Sequence, residues 1–187
     1  MTTSIIRSTN AWWVLVDGGA TRIETDATTT GELLADRAAI ETATTAGATA
    51  IPADLCSPVT TPCRVVAQMT NYISHIKDSG MNPATVPMTF FRKTSHSITG
   101  PADDIVRPAH VKLLDYEVEI GLVIGKDIPV GTTITEANIG EYVAGLVITN
   151  DVSARDLQLP KTQFFEGKSY PTFTPVGPRL VLLDRAD

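Results

Sequence analysis

An α+β fold, mainly β, is what the sequence of 187 residues predicts, and three observations predict it. Beyond residue 62 the apolar runs are short and rich in β-branched or aromatic residues: RVVAQM, PMTFF, DIVRP, LLDYEVEIGLVIG, VAGLVITND and RLVLLD. Gly, Pro, Asn and Asp separate them, the punctuation of strands joined by turns. The stretch IPADLCSPVTTP carries three prolines, which prevent regular structure and mark a connection between two units. A small N-terminal α+β domain, residues 1–62, is therefore expected to precede a β domain of residues 63–187.

In chain order, AWWVLVDGGATRIET reads as a strand, a DG turn and a return strand, because such a turn needs positive φ. From Thr30, GELLADRAAIETATTAG places Leu33, Leu34, Ala38 and Ile40 at helical spacings, with Gly47 as its stop, and predicts one short helix. A second brief helix is expected over residues 71–78, with Asn71 as its cap, and a third in ITEANIGEY, where Thr135 and Asn138 make a partial capping box. Trp12 and Trp13 read as packing for the small N-terminal unit.

Charge and composition exclude several function classes. Fifteen basic against 21 acidic residues give a net charge of −6, which disfavours nucleic acid and anionic membrane as partners. No apolar run approaches the roughly 20 residues of a membrane span, and the N-terminal stretch lacks the pattern of a secretory signal, so a cytoplasmic protein is expected. Cys56 and Cys63 have neither His nor further Cys neighbours and read as inert structural thiols.

Three segments could carry chemistry. Strict alternation over residues 113–125 places Leu114, Tyr116, Val118, Ile120, Leu122 and Ile124 on one strand face, and Asp115, Glu117 and Glu119 on the other. Glu117 and Glu119 then point the same way with Cα atoms roughly 6.5–7 Å apart. Their repulsion favours a hard divalent cation between oxygen ligands; a solvated strand face is the alternative. In LVITNDVSARDLQ, Asp151 stands where an apolar strand runs out, as a third carboxylate ligand or as a turn residue. Arg155, four residues on, suits either a structural ion pair or a fork for a substrate carboxylate. His75 and Asp78 lie at i and i+3, where a carboxylate could orient an imidazole acting as base, although such pairs also occur on plain surfaces. Lys93 ends MTFFRK and Lys168 follows a glycine; each could face an enolate or carboxylate, or snorkel to water. His96 and His110 have no comparable setting. Neither a GxGxxG nor a GxxxxGK[ST] phosphate loop occurs.

Five motifs in one order, NYISHIKDSG, FRKTSHSITGPADDIVRP, DYEVEIGLVIG, TNDVSARDLQ and GKSYPTFTPVGP, together resemble the fumarylacetoacetate hydrolase family over residues 64–183. The resemblance implies a β-sandwich roll for the catalytic domain, with Glu117, Glu119 and Asp151 as ligands of Mg2+, or of Mn2+ or Ca2+. It implies His75, paired with Asp78, as the base that activates water, Lys168 as enolate stabiliser, and Lys93, Arg155 and Gln158 as substrate contacts. The implied reaction is metal-dependent hydrolysis of a carbon–carbon bond in an acylpyruvate or other β-diketo acid. Decarboxylase, hydratase or isomerase chemistry on a 2-oxo or 2-hydroxydienoic acid is the alternative, because Asp78 stands where the family has Glu, one methylene longer. A homodimer is implied as well. Family members continue past the strand equivalent to RLVLLD for roughly another hundred residues. The expectation is thus a C-terminal part supplied by a complementing chain, or a non-catalytic, incomplete subunit.

Overall fold

The computed structural model describes residues 2–161 and 164–183. Strands β1 (Ser4–Ser8), β2 (Ala11–Val16) and β3 (Gly19–Arg22) form an antiparallel meander. Asp17 and Gly18 turn β2 into β3, with Gly18 at φ 85°, where a Cβ would be strained. The single helix expected from Thr30 is two, α1 (Thr30–Ala35) and α2 (Arg37–Thr44). Asp36 breaks it, at φ −89° and ψ 61°. Its carboxylate accepts from Ala39 N to cap α2 and from Thr25 Oγ1 at 2.6 Å. A short acidic side chain that can bond neighbouring N–H groups restarts a helix more readily than it continues one.

After β4 (Leu55–Cys56) and β5 (Val65–Gln68) comes α3 (Ile73–Asp78), then β6 (Phe90–Lys93), which pairs with β5, and β7 (Ile98–Thr99). Asn71 does not cap α3. Its amide is tied to the Thr89 backbone, donating to the carbonyl and accepting from the N–H at 3.0 Å each, so α3 starts without a side-chain cap. The predicted strand over residues 113–125 divides into β8 (Leu114–Asp115) and β9 (Val118–Ile124). Next follow α4 (Ile139–Tyr142), β10 (Val143–Asn150), β11 (Ser153–Ala154), α5 (Arg155–Gln158), α6 (Phe164–Lys168) and β12 (Thr174–Leu182).

The principal sheet runs β3-β2-β1-β12-β10-β9, with β4 added to β1 and β7 parallel to β12. Strand β1 thus lies between a strand of its own N-terminal unit and the last described strand, with Ile5 opposite both Val14 and Leu180. One buried row crosses the sheet as Val14, Ile5, Leu180 and Val147, each register partner adding to the same face. Leu33, Leu34, Ile40 and Ala43 of α1 and α2 join Trp12 in covering it. Trp12 also donates its indole N–H to Ala27 O at 2.9 Å, which satisfies its polar atom. The opposite face of β9 and β10 carries apolar side chains that remain exposed. Among the described residues, no helix is long and apolar enough to cross a membrane. Cys56 and Cys63 are free thiols, and burial pushes Cys63 up from the ordinary thiol value.

Thr29 and Glu32 close a reciprocal capping box on α1, and hydrogen bonds from Thr28 and Thr29 hold the Glu32 carboxyl down to about 2. A depressed carboxyl stabilises the fold above the ordinary glutamate value, and that contribution disappears as pH falls toward the folded value. Glu32→Gln is therefore expected to lower the melting temperature at neutral pH, with the gap from wild type closing as melts are repeated from pH 5 down to about 2.

Candidate active site

The site forms where the buried face of the sheet ends in charged residues. Strand β10 stops at Asn150, whose side-chain carbonyl accepts from Glu117 N at 3.0 Å, and Asp151 N donates to Glu117 O at 2.8 Å. These two bonds place Glu117 and Asp151 side by side just beyond the β9–β10 pairing. Asp151 is buried, and each of its carboxylate oxygens is taken by a lysine: Oδ1 by Lys93 Nζ and Oδ2 by Lys168 Nζ, both at 2.6 Å. Lys168 Nζ also donates to Glu117 Oε2 at 2.5 Å and stands 5.2 Å from the centre of the Phe91 ring.

Two local features bring the lysines in. Lys93 ends β6 and gives a further hydrogen bond to Phe173 O at 2.8 Å, so its charge has two fixed acceptors. Phe173 is fully buried in a second apolar cluster with Val111, Val152 and Ala154, and Thr172 before it adopts φ 71°, unusual for a β-branched residue. Lys168 ends α6, which packs on α5 through Gly167. A Cβ there would lie 3.1 Å from Ala154 O and 3.2 Å from Gln158, so a side chain requires the α5–α6 contact to give by a few tenths of an ångström.

Arg155 does not pair with Asp151. Its guanidinium bonds Asp115 Oδ2 through Nε at 2.9 Å, Gln158 Oε1 at 2.8 Å, and Glu117 Oε1. Asp115, named in the sequence only as a member of the polar strand face, is thus part of the cluster, and the i, i+2 spacing to Glu117 was its signal. Its hydrogen bond to Arg155 holds the carboxyl below the ordinary aspartate value. Gln158 is buried with its carbonyl committed to Arg155.

Burial pushes the Lys93 ammonium below the ordinary lysine value, opposed by Asp151 and aided by the Lys168 charge. Glu119, the second residue of β9, behaves oppositely to Asp115. Burial, Asp151 and Glu117 in turn raise its carboxyl above the ordinary glutamate value, with Lys168 and His75 partly offsetting them. His75 and Asp78 are both exposed on α3 and make no hydrogen bond or ion pair with each other among the described residues. His110, unassigned from sequence, shares a 2.9 Å hydrogen bond with Tyr170 Oη.

As the side chains stand, no three His, Cys, Asp or Glu groups among the described residues converge into a formed metal cage. The donor set is all carboxylate, the oxygen type that a hard divalent cation takes, and Glu119 is held above the ordinary glutamate value by burial first and then by the Asp151 and Glu117 charges. Lys93 and Lys168 are the cations that neutralise Glu117 and Asp151 here.

Residues 64–186, which contain every member of this cluster, match the family profile described as fumarylacetoacetate (FAA) hydrolase C-terminal. The chain belongs to the fumarylacetoacetate hydrolase family. The mitochondrial oxaloacetate tautomerase of Rattus norvegicus is 40% identical to it over 129 residues, 68% of this chain and 40% of that protein. Among solved structures, the fumarylacetoacetate hydrolase of Exiguobacterium antarcticum superposes with a TM-score of 0.76 at 30% identity, over 97% of this chain and 67% of the other. The 2-hydroxyhepta-2,4-diene-1,7-dioate isomerase of Mycobacterium marinum does so with a TM-score of 0.61 at 26% identity, over 98% and 67%. The chain thus spans about two fifths of the length of the tautomerase it matches, and about two thirds of these solved structures. The mainly β architecture expected from the sequence is that of the family.

Removing the shared acceptor tests the cluster's structural weight. Asp151→Ala leaves two buried ammonium groups short of an acceptor and is expected to cost about 3–5 kcal/mol in urea unfolding. Lys161→Met, at an exposed pair with Glu166, is expected to cost less than about 1 kcal/mol.

Proposed function

We propose that the site handles the enol or enolate of a 2-oxo dicarboxylic acid, and that keto–enol tautomerisation of an oxaloacetate-type substrate is its reaction. The observation that carries this reading is the convergence of two buried ammonium groups, Lys93 and Lys168, on the Asp151–Glu117 carboxylates. The similarity to a tautomerase and to a dienedioate isomerase supports it.

Glu117, Glu119 and Asp151 would hold a divalent cation, with Mg2+ as the first choice and Mn2+ or Ca2+ also suited to carboxylate oxygens. When bound, such an ion supplies Lewis-acid polarisation of the 2-oxo group. The chain's own residues do the rest. Lys168 Nζ, fixed between Glu117 and Asp151 and backed by Phe91, donates a hydrogen bond to the oxygen that carries enolate charge. Lys93 holds Asp151 in place from its other side. Arg155 keeps Glu117 oriented, and a substrate carboxylate would have to draw the guanidinium away from Asp115 or Gln158 to use it. His75, on the exposed face of α3, exchanges the proton at the carbon next to the enol: the enol oxygen loses a proton as that carbon gains one.

Hydrolysis of an acylpyruvate is the second reading, favoured by the likeness to a fumarylacetoacetate hydrolase. There His75 removes a proton from the attacking water. Tautomerisation is preferred because it needs no His75–Asp78 dyad, and the two residues stand unbonded. The compartment proposed is the cytoplasm, although the rat relative is mitochondrial.

Both reactions can be followed on one purified preparation, by enol–keto interconversion of oxaloacetate and by pyruvate release from an acylpyruvate. Interconversion should be sensitive to EDTA and restored by Mg2+, with Lys168→Met reducing it about a hundredfold or more. Asp78→Asn should leave interconversion within about threefold of wild type while abolishing any pyruvate release. Pyruvate release without interconversion makes the hydrolytic reading the correct one, and absence of both in a metal-loaded sample makes the chain a non-catalytic subunit.

A further inference from the structure

Three side chains hold the guanidinium of Arg155, and they differ in depth. Nη1 donates to Gln158 Oε1 at 2.8 Å and Nη2 to Glu117 Oε1; Gln158 is buried and the Glu117 side chain is 23% exposed. The remaining edge belongs to Asp115, whose side chain is 44% exposed. A ligand arriving from solvent therefore meets Arg155 on the Asp115 side.

That edge is only half filled. Nε donates to Asp115 Oδ2 at 2.9 Å, and Nη2 stands 2.8 Å from the same oxygen. The other oxygen, Oδ1, accepts from the backbone N–H of Tyr116 at 2.9 Å. Asp115 thus gives one acceptor to a donor pair shaped for two, whereas a carboxylate that presents both oxygens makes two parallel bonds on the same edge. The backbone beneath both residues is tied down. Asp115 of β8 pairs with Ser153 of β11, Arg155 N donates to Leu113 O at 2.8 Å, and the Asp156 carboxylate accepts from Lys112 N and Leu113 N. A change of partner at Arg155 is therefore a movement of side chains alone.

We infer that Asp115 is a specificity-determining residue, an internal carboxylate that occupies the open edge of Arg155 until the far carboxylate of a 2-oxo dicarboxylic acid replaces it. This rests on the substrate class proposed above and names the residue that enforces it. Charge decides which ligands can make the exchange. The Arg155 side chain is only 20% exposed, and losing Asp115 without a substitute would leave it to share Glu117 with Lys168. A dicarboxylic acid brings the substitute with it. A 2-oxo acid ending in a methyl group brings none, and Asp115 stays in place.

Two acids of equal chain length separate these cases: 2-oxoglutarate and 2-oxopentanoate, which differ by a carboxylate in place of a methyl group. Each is titrated calorimetrically, in buffer containing Mg2+, into the wild-type chain, Asp115→Asn and Asp115→Glu. Asp115→Asn keeps the side-chain shape and removes the rival charge, so 2-oxoglutarate should bind about tenfold more tightly while 2-oxopentanoate changes by less than about twofold. Asp115→Glu restores a rival charge and should return 2-oxoglutarate to within about threefold of its wild-type affinity. In the wild type, the Nε–H magnetic resonance signal of Arg155 should move with 2-oxoglutarate and stay with 2-oxopentanoate, a result that needs no variant to fold. A residue that merely anchors Arg155 predicts the reverse in the titrations, with Asp115→Asn weakening 2-oxoglutarate. That outcome, unchanged 2-oxoglutarate affinity in a folded Asp115→Asn, an equal shift of the Arg155 signal with both acids, or no binding of either acid overturns the inference. These measurements need no turnover, so a wild-type chain that fails to interconvert oxaloacetate overturns the proposed reaction and leaves them standing.

Discussion

Everything at the site hangs on the double occupancy of the Asp151 carboxylate. One oxygen belongs to Lys93 and the other to Lys168, so a single buried side chain holds β6 and α6 to the end of β10. Two buried ammonium groups against one carboxylate would leave a surplus of positive charge in a poorly solvated place. Glu117 removes it by accepting from Lys168, and Arg155 then steadies Glu117 from the other side together with Asp115. Charges alternate in space along this chain of contacts, and each group is satisfied only because its neighbour is present. Such a network is stable as a whole and intolerant of removing any one member.

The apolar scaffolding explains how residues so far apart in sequence meet. Phe173, fully buried, sets the position of its own carbonyl, and that carbonyl is the second acceptor of Lys93. The left-handed backbone of Thr172 makes this turn, and its hydroxyl accepts from Val106 N at 2.8 Å, which ties the loop to a segment far upstream. Packing thus fixes the direction of a hydrogen bond, and the hydrogen bond fixes a charge.

Much of this was legible from residues alone, and the failures have physical reasons. Period-two alternation correctly puts Glu119 on the face of β9 opposite Ile120 and Leu122, because the pleat leaves no alternative, whereas Glu117 falls in the break between β8 and β9. Alternation does not say which side faces the core, and here the apolar side is the exposed one. The DG turn is likewise readable, since few residues accept the left-handed conformation that Gly18 adopts. Asp36 and Asn71 were harder: each is a capping type, but whether such a side chain caps, breaks or cross-links depends on partners elsewhere, Thr25 for one and Thr89 for the other. Local spacing also pairs Arg155 with Asp151 and His75 with Asp78. Long-range neighbours claimed the first pair, and the second stands apart on an exposed helix.

The register of β1 against β12 ties the beginning of the described chain to its end. Ser4 sits opposite Val181, so during synthesis the first strand emerges roughly 9–35 s before its partner has been made. Its meander with β2 and β3 needs only neighbouring residues and can form at once, and β4 later covers the Arg7–Ser8 end of β1. The stretch around Ser4 and Ile5 has no such early cover. It waits as an open strand edge, sticky toward any other nascent chain, until Leu180 and Val181 have been made. Crowded translation would therefore expose this protein to mispairing at its first strand, and slow elongation between β1 and β12 would lengthen that exposure.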